Sequence, residues 1–96
     1  MFGRILADVQ DCIRECRFVM TLHAEEEMND DELTIYDVEH AIMAGAIEER
    51  QRDRTTHEPK YRVKGPALRG DPIELVVKFG ATRKVVIITV YRAKER

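Results

Sequence analysis

No stretch of this 96-residue chain approaches the ~20 consecutive apolar residues that span a bilayer, so no membrane-crossing helix is expected. Cysteine is scarce, with only Cys12 and Cys16. They stand four apart in a helical pattern, a poor placement for a disulfide. The three histidines are scattered, so Cys and His make no convincing metal set. Two reduced thiols packing as small apolar groups are expected, with no metal and no cofactor. Internal repeats and low-complexity segments are missing, and charges interrupt the apolar pattern of residues 1–10, which argues against a signal peptide. A cytoplasmic protein with no membrane partner is the resulting expectation. Lys and Arg are almost missing from the first half: residues 1–49 hold 3 of them against 13 Asp and Glu, a net of −10.

What is present is 44% hydrophobic and 35% charged, the balance of a soluble globular protein of one domain with a modest core. Residues 50–96 hold 13 Lys and Arg against 5 Asp and Glu, a net of +8 that the overall −2 conceals. Either the halves neutralise each other within the domain, or the basic half presents a surface to a polyanion.

Two β-branched runs, Ile73–Phe79 and Val85–Tyr91, flank the turn Gly80-Ala81-Thr82 and predict an antiparallel hairpin. The second is apolar at nearly every position, so it is expected mid-sheet with both faces covered. Upstream, Phe2, Ile5, Leu6, Val9, Ile13 and Cys16 recur at threes and fours and predict an amphipathic helix over 2–16. Phe18–Thr21 reads as a short strand or as an extended link that plugs Phe18 and Met20 into the core. Thr21 is placed to cap a helix over Leu22–Asp30, and Thr34 with Asp37 makes a capping pattern for a helix over Ile35–Ala44 that Gly45 stops. Ala46–Arg54 reads as a strand, Asp53–Pro59 as a polar loop, and Lys60–Lys64 as a strand with Tyr61 and Val63 on its packing face. The result is an α+β domain over 1–96: an N-terminal helix at 1–16, then a core at 18–92 with helices on one face of a four- to five-stranded, mainly antiparallel sheet.

Period two then groups the cations. Arg50, Arg52 and Arg54 share a parity, as do Lys60, Arg62 and Lys64; as hairpin neighbours they place six cations on one open surface. Lys78, Arg83 and Lys84 sit near the next hairpin, and Arg92, Lys94 and Arg96 follow the last strand. Such a cluster suits a phosphate backbone, with Arg50, Arg52, Lys60, Arg62, Lys64 and Lys78 as the RNA contacts. Solvated sheet faces also carry Lys and Arg to block aggregation, the plain alternative. His40 and His57 read as surface groups.

The order His23-Ala24-x-x-x-Met28, Leu33-Thr34-x-x-Asp37-Val38-x-x-Ala41-Ile42, Gly45-x-Ile47-Glu48 and Ile87-x-Thr89-Val90-Tyr91 resembles a small bacterial domain of unknown function. Its members are grouped with RelE-like and BrnT-like toxins of toxin–antitoxin pairs, on a barnase-like α+β fold. The resemblance covers about residues 18–92. It implies a metal-independent endoribonuclease held by a cognate antitoxin. Attack of a 2′-hydroxyl on phosphorus needs a base, an acid and cations that steady the phosphorane. His23 and Tyr91 match the family's histidine and closing tyrosine, and Arg62 and Lys64 are the candidate charge-stabilising groups; His23 also has a structural reading, as a cap in the first helical turn or a partner of Glu27 one turn on. Glu27 stands where relatives carry Arg, and Glu74 stands where many carry His, which makes Glu74 a substitute base. Two other readings compete: a non-catalytic RNA- or protein-binding module, and a homodimer joined through the stripe Phe2, Ile5, Leu6 and Val9.

Overall fold

Local signals build each element of the computed structural model, which describes residues 1–93. The elements are α1 (Gly3–Arg14), β1 (Phe18–Met20), α2 (Leu22–Asp30), α3 (Ile35–Ala44), β2 (Ala46–Arg52), β3 (Pro59–Pro66), β4 (Pro72–Phe79) and β5 (Val85–Arg92). Thr21 caps α2 by accepting from the Ala24 amide, and Thr34 and Asp37 form a reciprocal capping box on α3. Each cap satisfies amides that the first helical turn leaves without partners. The strands form one sheet in the order β1-β5-β4-β3-β2, with β1 parallel to β5 and every other pair antiparallel. The domain is α+β, its helices preceding the main run of strands.

The core lies between one sheet face and helices α1 and α3. Val9, Cys12 and Ile13 from α1 and Val38, Ala41 and Ile42 from α3 are buried against Val63, Leu75 and Ile87. Phe2, Ile5 and Leu6 pack on the same core, Phe2 edge-on to the Tyr61 ring with centroids 6.4 Å apart. The stripe expected to join two copies is thus largely occupied within the molecule. β5 sits inside the sheet, but only one of its faces is buried: Val85, Ile87 and Val90 point into the core, while Val86, Thr89 and Tyr91 are half-exposed on the other side. Among the described residues no helix lies over the second face, which corrects the expectation of a run covered on both sides.

Gly45 does not end α3 with a left-handed turn; its backbone is extended, with φ −102°. The glycine is needed for approach. Its Cα lies against that of Gly65 on β3, and a Cβ at Gly65 would come within 2.0 Å of the Ala41 carbonyl oxygen. α3 and β3 therefore meet backbone to backbone at this crossing. Both cysteines are free, Cys12 buried and Cys16 exposed at the helix end with φ 56°, so only Cys12 packs as a core group. No helix among the described residues is long and apolar enough to cross a membrane.

Candidate functional site

The uncovered sheet face carries the residues of opposite parity to the core. Lys64 pairs with Glu74 and Glu74 with Tyr91, one row across β3, β4 and β5. Arg62 lies in the next row with Val76 and Thr89. Four of the five residues expected to be catalytic, Arg62, Lys64, Glu74 and Tyr91, are therefore neighbours on this face. The Arg62 guanidinium bridges two carboxylates, Nη1 at 3.5 Å from Glu74 Oε1 and Nη2 at 4.0 Å from Glu48 Oε1. Its Nε is buried and, among the described residues, has no hydrogen-bond partner. The Glu74 side chain is only 14% exposed. Burial, with a hydrogen bond to Glu74 and that carboxylate's charge, raises the Tyr91 phenol above its usual range against an opposing pull from Arg62. The phenol is thus a protonated donor at neutral pH.

His23 stands apart. It is 67% exposed on the first turn of α2, with Nε2 3.3 Å from Glu27 Oε1. Glu27 accepts from the Val90 amide at 3.2 Å, and Asp31 accepts from the Arg92 amide at 3.1 Å. β1 pairs with β5 only over Val85–Ile87, so these two carboxylates take the β5 amides that β1 is too short to reach. That explains Glu27 structurally: it shields an edge that would otherwise invite pairing. Among the described residues no hydrogen bond or ion pair joins His23 to Arg62, Lys64, Glu74 or Tyr91.

The six expected RNA contacts divide between two faces. Lys60, Arg62, Lys64 and Lys78 lie on the open one. Arg50 and Arg52 do not: the β2–β3 register shifts between Ile47 and Glu49, after which Arg50 faces Tyr61 and Arg52 faces Pro59. One extra residue in a strand reverses every later side chain. Both arginines therefore share the parity of the buried Tyr61, and Arg52 donates to the His57 carbonyl. Arg54 falls in the turn after β2, and Lys94 and Arg96 lie outside the described residues. The open-face cations are also not alone, since Lys78 lies 3.6 Å from Glu58 and Arg62 is held by Glu48 and Glu74. Glu48, named above as a strand residue and in the Ile47-Glu48 motif but not as a site residue, is a member of the cluster; the Glu48-Glu49 doublet breaks the alternation of β2.

Among the described residues no three His, Cys, Asp or Glu side chains gather to hold a metal ion. The open-face set instead combines a carboxylate, a phenol and two cations, groups able to take and give protons and to bind an anion. None of the curated proteins and none of the solved structures compared with this chain matches it. Residues 20–92 match the domain of unknown function DUF4258, nearly the whole of the β1–β5 core just described, and the chain belongs to that family.

Proposed function

We propose that the open face cleaves RNA without a metal ion, in the manner of the RelE-like toxins that the sequence resembles, and that an antitoxin holds it in check. The observation that carries the reading is the convergence of Arg62, Lys64, Glu74 and Tyr91 from three adjacent strands. Glu74 takes the proton of a 2′-hydroxyl, whose oxygen attacks the adjacent phosphorus. Arg62 and Lys64 steady the phosphorane charge. Tyr91 protonates the departing 5′-oxygen as the P–O5′ bond breaks, leaving a 2′,3′-cyclic phosphate and a 5′-hydroxyl. His23, paired to Glu27 at the sheet edge, is left out of the reacting set.

The test is incubation of purified protein with RNA in excess EDTA. Cleavage to cyclic-phosphate ends is expected, falling by about 10²-fold or more in Glu74→Gln and unchanged in His23→Ala. Intact RNA with the wild-type protein overturns the reading. The pairing of Arg62 and Lys78 with carboxylates favours a second one, a binding module without catalysis. It predicts intact RNA held in a complex that weakens steeply with salt, or no RNA complex and a protein ligand instead.

A further inference from the structure

The two edges of the sheet are defended unequally. β2 carries Glu48, Glu49, Arg50 and Arg52 along its length, charges of the kind that deter strand addition. β1, at the opposite edge, is Phe18-Val19-Met20, with neither charge nor proline. Among the described residues it pairs with β5 alone, and the bonds from Val85 to the Arg17 carbonyl and from Thr21 to the Ile87 carbonyl fix which way its backbone points. In a parallel ladder the residues between, Phe18 and Met20, turn their amides and carbonyls outward. A groove of about 370 Å³ runs beside this edge, with Phe18, Met20, Met28 and Ile35 as its apolar lining and Glu25 and Asn29 of α2 at its polar side. The helix beside it is acidic: α2 contains Glu25, Glu26, Glu27 and Asp30 and no Lys or Arg.

We infer that the β1 edge docks an extended, basic segment of a partner protein, which adds as a sixth strand with an apolar side chain in the groove and Lys or Arg beside Glu25. Backbone bonds to Phe18 and Met20 supply affinity, and the groove and the acidic helix select the sequence. A second copy of this chain fits less well. Two-fold pairing of β1 with β1 would set one acidic α2 against another, a like-charge contact across the whole junction. The inference is independent of the open-face chemistry, because β1 and α2 contribute none of the residues assigned to cleavage.

The probe is a synthetic ten-residue peptide alternating Val with Lys and Arg, labelled for fluorescence anisotropy with the full-length protein. Binding is expected, with amide shifts in NMR spectra centred on Phe18 and Met20. The same peptide with Glu in place of its cations should not bind. N-methylation of every second backbone amide should abolish binding in one register and spare it in the other. Glu25→Lys, an exposed change whose folding is checked by circular dichroism, should weaken binding about tenfold. Kd above about 1 mM for the basic peptide, equal binding of the acidic one, or insensitivity to both Glu25→Lys and N-methylation would overturn the proposal. So would a dimer in solution that already protects the Phe18 and Met20 amides from exchange. RNA cleavage by the Glu25→Lys protein should be unchanged, so that failure here and failure of the ribonuclease reading are separate results.

Discussion

On the helix-covered side of the sheet, Val63, Leu75, Val77 and Ile87 are buried against α1 and α3; on the other side, Arg62, Glu74, Val76 and Tyr91 are half-buried and meet one another across the strands. The same period of two, reset in β5 by the extra residue Ile88, produced both faces. What differs is the source of their order. The covered face is held by apolar volume, where each fully buried aliphatic side chain contributes about 1.5–3 kcal/mol. The open face is held by charge pairs and a phenol, each worth about 1 kcal/mol or less in partial solvent. A surface ordered so weakly is free to vary its chemistry without unfolding the domain, which is why a candidate site sits there.

The contrast can be broken most severely where the covered face has no room. Gly65→Ala drives a methyl group into the Ala41 carbonyl, so a loss of about 3 kcal/mol or more is expected in urea denaturation. Adjacent residues of β4 then compare the faces directly. Leu75→Ala should cost about 3 kcal/mol and Val76→Ala under about 1 kcal/mol. Equal losses would mean that the open face is covered in solution.

Asp37→Asn removes half of the α3 capping box and should cost about 1 kcal/mol. The Thr34 amide, aided by that of Leu68, holds the Asp37 carboxyl below its ordinary range. Its folded-state pKa is depressed, so the stabilisation is fully present above the ordinary carboxylate range and disappears as pH falls through and below it. Acid titration of wild type against Asp37→Asn should therefore show the two stabilities converging at low pH. Weaker still is Lys78→Ala, which breaks the exposed pair with Glu58 and should move stability by less than about 0.5 kcal/mol, with the difference gone in 1 M salt.

Much of the architecture was legible because its causes are local. The bounds of α2 and α3 coincide with those predicted, since Thr21, Thr34 and Asp37 act within one turn of their own positions. β4 and β5 emerged from β-branched runs and their turn. The candidate cluster was legible in part: alternation in KYRVK put Arg62 and Lys64 together, but Glu74 meets Tyr91 only because the β4–β5 register shifts between Val76 and Val77, where the extra residue Ile88 turns Tyr91 to the open face. Arg50 and Arg52 were misplaced because alternation cannot register an extra residue inside a strand; the bulge at Glu48 exists only through pairing with β3. The pairing of His23 with Glu27 was legible because the two stand four apart on one helix, whereas the bond from the Val90 amide to Glu27 depends on how far β1 extends along β5, a length that nothing within α2 encodes.

By itself, then, the sequence determined what each segment becomes and which way most side chains face, because capping and pleat periodicity act over a few residues. The tertiary structure alone decided which strands are neighbours, where β2 reverses its faces, why Gly45 and Gly65 must lack side chains, and that β1 ends as an unguarded edge. Those outcomes depend on contacts between segments far apart in the chain, and no local pattern carries the geometry of a partner that arrives only on folding.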